Sequence, residues 1–194
     1  MRTLITGIAG QTGSYLTDFL IDIGCNVYGC VRKSTDISRI SNYITNPKLK
    51  LYYGDITDIL YLREVIEHSK PDIIFNLVAQ SRDDVSFKLP EYTTNVNGIV
   101  PLRILETIKL LNPKIRFLQA SSSEMFGSSS PPYNEKTSIN PLSPYATAKA
   151  FAHSTVKNYR ILYNIFACNA ICFNHESKRR GNDFVTRKIT KAAV

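Results

Sequence analysis

Short apolar runs alternate along the chain with longer segments in which apolar residues return every three or four positions. Thr3 to Thr6 predicts a strand, and Gly13 to Ile23 a helix that Gly24 closes. Asn26 to Val31, Leu49 to Tyr53, Ile73 to Leu77, Phe117 to Ala120 and Ile165 to Phe173 predict further strands. Between them, helical spacing covers Ile59 to His68, Tyr92 to Leu111 and Pro144 to Tyr163, with Asp58 as N-cap of the first and Pro71 beyond its end. Strands separated by helices of this length require crossover connections, so the pattern predicts an α/β fold with a doubly wound parallel sheet. Two polar stretches, Ser34 to Lys48 and Ser128 to Ser143, interrupt the rhythm and read as loops. Both follow strands, and the ligand crevice of an open parallel sheet lies beyond the strands' carboxyl ends, so both loops should border a site. A basic, helix-like tail runs from Phe184 to Val194.

The first predicted strand runs directly into Thr6-Gly7-Ile8-Ala9-Gly10-Gln11-Thr12-Gly13, glycines spaced G-x-x-G-x-x-G that open into a helix. Gly7 allows a tight turn, Gly10 lets backbone approach a pyrophosphate, and Gly13 permits close packing of helix on strand. The helix N-terminus adds unpaired amides for an anion. The sheet is therefore expected to be Rossmann-type and to bind a dinucleotide. Where an NAD-preferring fold ends its second strand with a carboxylate, this chain has Arg32, followed by Lys33, Ser34 and Thr35. Cations and hydroxyls suit a ribose 2′-phosphate, which favours NADP. Asp55, in Gly54-Asp55-Ile56 after the third strand, fits either an acceptor for an adenine amino group or a helix-entry residue.

Net charge changes the picture little. The formal charge is +8, but no dense basic block or aromatic-basic interleaving marks a nucleic-acid surface. Steering of an anionic small molecule accounts for it equally well. The four cysteines are Cys25, Cys30, Cys168 and Cys172; the last two share an apolar strand pattern and read as reduced packing residues, and no metal is expected. The strand pattern begins at once, with no signal-like segment and no apolar stretch of membrane-spanning length, so the expected location is cytoplasmic, with no membrane partner.

Tyr145-Ala146-Thr147-Ala148-Lys149 sets a phenol and an ammonium one turn apart on a helix face. A tyrosine of ordinary pKa is a poor base at neutral pH, and a nearby lysine and a cationic nicotinamide both favour its phenolate. Upstream, the fifth strand ends in Ser121-Ser122-Ser123-Glu124. A hydroxyl row there can hold a sugar hydroxyl near Tyr145, while Glu124 exceeds what simple alcohol oxidation needs and suggests a second proton transfer.

These pieces together resemble the extended short-chain dehydrogenases. Leu4 to Leu16, Tyr53-Gly54-Asp55, Asn76 to Ser81, Glu91-Tyr92-Thr93, Tyr145 to Lys149, and above all Phe173-Asn174-His175-Glu176-Ser177 with Arg179-Arg180-Gly181, are similar to the GDP-mannose 4,6-dehydratases. The resemblance implies NADP contacts from Gly7, Ile8, Ala9, Gly10, Gln11 and Thr12, from Arg32, Lys33, Ser34 and Thr35, and from Asp55 and Ile56. It extends them to Leu77, Val78, Ala79, Gln80 and Ser81, and to Tyr92, Lys149, His175 and Arg180. It implies a catalytic set of Ser122, Glu124, Tyr145 and Lys149, and substrate contacts from Ser81, Ser122, Asn174 and Glu176. The implied reaction converts GDP-mannose to GDP-4-keto-6-deoxymannose. Tyr145 takes the 4-hydroxyl proton as hydride leaves carbon 4 for NADP⁺, Glu124 removes the acidified proton on carbon 5, water departs from carbon 6, and the hydride returns there.

The resemblance also implies an NADP-binding domain over residues 1–173 and the start of a substrate-binding region over 174–194, the family's chain continuing beyond Val194 into a substrate lobe largely absent here. A homo-oligomer, dimer or tetramer, is expected. Three local departures stand out: Ser122 occupies a position where the family usually has threonine, Arg82-Asp83-Asp84 replaces a segment that commonly begins with histidine, and the loop from Ser34 to Ile40 is shortened. An epimerase or reductase on the same scaffold, and an NADP-binding protein without turnover, are the competing readings.

Overall fold

The computed structural model describes residues 1–193. Six parallel strands form one sheet in the order β3-β2-β1-β4-β5-β6: β1 (Arg2–Thr6), β2 (Asn26–Val31), β3 (Leu49–Tyr53), β4 (Ile73–Asn76), β5 (Arg116–Ser122) and β6 (Ala167–Cys172). The chain winds outward from β1 to β3 and then restarts on the other side of β1 at β4. The order therefore reverses between β1 and β4, where a crevice must open.

The predicted alternation is observed, and the residues explain where its boundaries moved. Helix α1 spans Gln11–Asp22, and the chain turns out of it at Gly24, with φ of 86°. Helix α2 (Ile59–Ser69) starts as expected at Asp58, whose carboxylate accepts from the amides of Leu60 and Tyr61. Helix α6 (Pro144–Tyr163) has the predicted bounds. The single helix expected over Tyr92 to Leu111 is three pieces: α4 (Pro90–Thr94), a π turn (Asn95–Ile99) and α5 (Val100–Leu111). Pro101 has no N–H to give the Asn97 carbonyl four residues back, which loosens the ladder there. The buried Asn97 side chain accepts from the Gln80 amide and donates to the Gln80 carbonyl, both at 2.9 Å.

Three short elements were not expected, one of them a 3-10 turn just after β5. Helix α3 (Asp83–Lys88) carries Asp83 and Asp84 in its first turn, where the helix dipole favours them. A 3-10 helix (Ser38–Tyr43) lies inside the predicted loop because Ile40 is fully buried there. Ile40 joins Ile5, Ile8, Val27 and Leu49 in the core beneath α1. The opposite face is sealed by a second core in which Leu62, Ile66, Ile104, Ile108 and Val156 cover Leu4, Ile74 and Phe117. Helix α7 (Val185–Ala192) follows the last strand without burying a residue. No helix among the described residues is long and apolar enough to cross a membrane.

Candidate active site

The carboxyl ends of all six strands, at Thr6, Val31, Gly54, Leu77, Ser122 and Cys172, open into one crevice of about 970 Å³. At its centre is the glycine turn. Gly7 has φ of 73°, and a Cβ there would lie 2.7 Å from the Val78 amide nitrogen, so β1 and β4 can meet only through glycine. A Cβ on Gly13 would lie 2.3 Å from the Gly7 carbonyl oxygen, which ties the helix to the turn. Gly10 is the N-cap of α1 and offers no side chain to the first-turn amides. Gln11, Thr12 and Gly13 face the crevice, and these amides are open to an anion.

The expected residues gather around this turn with three exceptions. Ala9, Gly10, Gln11 and Thr12 form its floor; Ser34, Thr35, Asp55 and Ile56 line one end; Leu77, Val78, Ala79 and Ser81 line the β4 side. Ile8 is instead fully buried, packed so tightly under Gly29 that a Cβ there would touch it at 2.6 Å. Lys33 is exposed and outside the crevice walls. Gln80 is also outside them: besides the Asn97 bonds, its side chain donates to the Arg82 carbonyl at 2.9 Å, so it holds the loop rather than facing the cavity. Arg32 reaches across to Tyr92, donating to its hydroxyl at 3.1 Å. Asp55 serves the helix-entry role, accepting from the amide and hydroxyl of Thr57 at 2.8 Å each, and still lines the crevice. Those two bonds hold its carboxyl below the ordinary range.

The residues expected to handle protons line the same crevice. Ser143 caps α6 by accepting from the Ala146 amide at 3.1 Å, so the helix begins with Tyr145 at the crevice wall. One turn on, Lys149 is 2% exposed and donates from Nζ to the Ala120 carbonyl at 2.8 Å. Burial pushes its ammonium down to about 8. Nζ stands 5.8 Å from the centre of the Tyr145 ring. The sequence leads one to expect this cation to favour the phenolate, but burial dominates and raises the tyrosine, with a Ser122 hydrogen bond drawing it back down. Ser122 also accepts from the Glu124 amide at 3.2 Å, which turns the chain into a 3-10 helix (Ser123–Phe126) and sets Glu124 in the wall.

A buried polar chain links β1, β4 and β5. Thr6 Oγ1 donates to Asn76 Oδ1 at 2.5 Å, Asn76 Nδ2 donates to Gln119 Oε1 at 2.6 Å, and Gln119 Nε2 donates to the Ala120 carbonyl at 2.9 Å. The Ala120 carbonyl thus takes one bond from this chain and one from Lys149. Thr6 and Asn76 stood in the sequence motifs without any hint that they bond each other, and the chain crosses three strands that sequence spacing does not relate.

The segment after β6 closes the crevice like a strap. His175 Nδ1 donates to the Phe173 carbonyl at 2.9 Å, which leaves Nε2 to accept from Thr12 Oγ1 at 3.1 Å. Gln11 donates to the His175 carbonyl at 3.0 Å. Arg179 pairs with Asp18 of α1 at 2.7 Å and lies 4.2 Å above the Tyr15 ring. Arg180 covers Phe184, 3.5 Å from its ring centre, and its Nε approaches Glu176 to 3.3 Å. Asn174, His175, Glu176 and Arg180 all reach the crevice. Sequence reasoning gave no site role to several wall residues, among them Arg39, Asp83 and Cys172. Ile37, Ile40 and Tyr43, three residues apart in an otherwise polar stretch, were the available signal for the short helix that carries Arg39. Nothing in the spacing distinguished the Cys172 thiol, which burial raises and the Lys149 charge lowers.

With this geometry in view, comparison with known proteins is decisive about ancestry. A family model described as GDP-mannose 4,6 dehydratase matches residues 4–194. The chain belongs to the GDP-mannose 4,6-dehydratase family. It is 47% identical over 201 residues to GDP-mannose 4,6 dehydratase 1 of Arabidopsis thaliana, covering 97% of this chain and 56% of that protein. Against the Homo sapiens GDP-mannose 4,6 dehydratase it is 47% identical, over 98% of this chain and 54% of the relative. The chain thus spans about half the length of the curated family members it matches. Among solved structures, a dTDP-glucose 4,6-dehydratase from Streptomyces venezuelae with NAD bound shares the fold at TM-score 0.88 and 23% identity, over 100% of this chain and 62% of that one. An epimerase from Methanothermobacter thermautotrophicus superposes at TM-score 0.86 with 30% identity, over 98% and 57%. Family membership agrees with the resemblance carried by Phe173 to Ser177 and Arg179 to Gly181.

Proposed function

We propose that this chain is the cofactor-binding and catalytic part of a GDP-mannose 4,6-dehydratase, converting GDP-mannose to GDP-4-keto-6-deoxymannose with NADP. The observation that carries the reading is the convergence of a hydroxyl, a carboxylate, a phenol and a buried ammonium (Ser122, Glu124, Tyr145 and Lys149) in one crevice with a glycine turn. The glycine turn fits a dinucleotide: a Cβ at Gly7 or Gly13 would collide with backbone, and the α1 amides have no side-chain cap. NADP, when bound, takes up a hydride and gives it back.

In this proposal Tyr145 accepts the proton of the sugar's 4-hydroxyl. Ser122, hydrogen-bonded to Tyr145, orients that hydroxyl. Lys149 lends the positive charge that favours the Tyr145 phenolate which takes this proton, working against the rise that burial gives the phenol. Glu124 takes the proton from carbon 5 once a ketone stands at carbon 4, and water leaves from carbon 6. Ser81, Asn174 and Glu176 hold the sugar nucleotide, and the Ser34–Thr35 turn takes the ribose end of the cofactor with Arg32 beside it at the adenine. Residues 1–173 form the NADP-binding domain and 174–194 open the substrate-binding region. A cytoplasmic homo-oligomer completes the proposal.

The test is incubation of the purified chain with GDP-mannose and NADP⁺, following by mass spectrometry a product lighter by one water. Glu124→Gln is expected to bind NADPH as the parent does and to form no product. Tight NADPH binding by the parent chain with no water loss would leave a cofactor-binding protein and sink the claim of turnover.

A further inference from the structure

The NADP reading rests on the basic turn after β2, yet the structure divides its cations between two walls. Lys33 is outside the crevice. The Arg32 guanidinium is held on the β4 side by the Tyr92 hydroxyl at 3.1 Å, and its charge acts on Asp55. On the opposite wall, Arg39 donates from Nη1 to the Ala9 carbonyl of the glycine turn at 3.2 Å. Arg39 is half-buried and stands on the short 3-10 helix that Ile40 roots in the core. Ser34 and Thr35 line the crevice as these two arginines do.

We propose that Arg39 is the residue that distinguishes NADP from NAD, binding the ribose 2′-phosphate from the glycine-turn side while Arg32 covers the adenine. This rests on the NADP reading above and assigns the discrimination to a residue outside the expected turn. A guanidinium has five N–H donors in a fixed fork, and the Ala9 carbonyl accounts for one, leaving an edge free for a phosphate. The Ala9 bond also fixes the fork against the turn that takes the diphosphate, so the two phosphate sites share one rigid reference. The neighbouring Asp36 carboxylate also lines the crevice and accepts from the amide and hydroxyl of Ser38 at 2.9 and 3.0 Å; these bonds and the Arg39 charge keep it ionised, so the guanidinium faces a phosphate with one carboxylate already beside it. Arg32 has no comparable anchor to the glycine turn. Its position near Asp55 suits a planar group lying across the adenine face, which NADP and NAD have in common.

Dissociation constants for NADPH and NADH, measured by calorimetry on the purified chain, test this. Both ligands carry the diphosphate and the adenine, so only the 2′-phosphate separates them. Arg39→Gln removes the charged fork and keeps a polar side chain, whose amide ends two bonds short of Nη1. It is expected to weaken NADPH roughly 10- to 100-fold and to leave NADH unchanged, with Arg39→Lys intermediate. Arg32→Met is expected to weaken both ligands by the same factor. Equal loss of NADPH and NADH in Arg39→Gln, or no loss of either, would overturn the assignment by making Arg39 a structural or diphosphate contact. A parent chain that binds NADH as tightly as NADPH would overturn the NADP reading itself and the assignment with it. The thermal melt of each variant separates a binding defect from a folding one.

Discussion

At the scale of single residues, Lys149 shows a site residue held at a cost to the fold. Its ammonium is 2% exposed and titrates at about 8 instead of 10.5 because burial penalises the charged form. The unfolded chain therefore binds the extra proton between those two values, and stability rises as pH climbs through that window. Below pH 8 the penalty is present in full, about 3 kcal/mol on linkage alone. Lys149→Met removes the charge without orphaning its acceptor, since the Ala120 carbonyl keeps the bond from Gln119. The variant should melt several degrees above the parent chain at pH 6.5, and the gap should close by pH 10.5. Melts at the two pH values check both the sign and the window; a variant that melts lower at pH 6.5 would show that the ammonium stabilises the fold. Sites that trade stability for chemistry behave in this way.

At the scale of elements, the π turn between α4 and α5 is where periodicity failed as a guide. Apolar spacing from Tyr92 to Leu111 is continuous, so it predicts one helix; the interruption depends on a missing N–H at Pro101 and on Asn97 finding Gln80, a residue 17 positions away. Asn97→Leu would leave both Gln80 backbone groups without partners, at a cost of roughly 2–4 kcal/mol. For a chain of this size the melting temperature should fall by about 5–10 °C, and because Gln80 precedes Ser81, affinity for the sugar nucleotide should fall with it. A loss of less than 2 °C would mean that the turn is held by something other than this pair. The same contrast runs through the molecule. The succession of strands and helices, the glycine turn and the Tyr145–Lys149 helix are legible because each rests on local spacing or on residues whose geometry admits few alternatives. The Arg39–Ala9 contact, the Thr6–Asn76–Gln119 chain and the π turn are illegible because each depends on partners brought together by the sheet, and a polar residue in a sequence does not announce which distant carbonyl it will meet. Lys33 and Gln80 err in the opposite direction: both stand inside recognisable motifs, but neighbours in a turn point different ways, and only one of the two directions faces the crevice.

At the scale of the whole molecule, the strap from Asn174 to Phe184 makes the two halves of the sheet answer to one ligand. β6 is the last strand on one edge, yet the segment leaving it returns to α1, which belongs to the other half of the winding. A dinucleotide on the glycine turn would lie under this strap, so binding should tighten a contact that already links β6 to α1. Any ligand that binds only the folded state adds stability by mass action, about 2.7 kcal/mol at 100 times its dissociation constant. NADPH at that ratio should therefore raise the melting temperature by roughly 5–10 °C. Arg179→Ala removes the Asp18 pair and the stacking on Tyr15 while leaving the glycine turn untouched. If the strap contributes to binding, the variant should need a higher NADPH concentration for the same shift, beyond any lowering of its ligand-free melt from losing a pair whose side chains are each about three-quarters buried. Titrating NADPH against melting temperature for both chains separates the cases: a displaced concentration dependence places part of the binding energy in the strap, whereas coincident curves would assign it wholly to the glycine turn and its flanking walls.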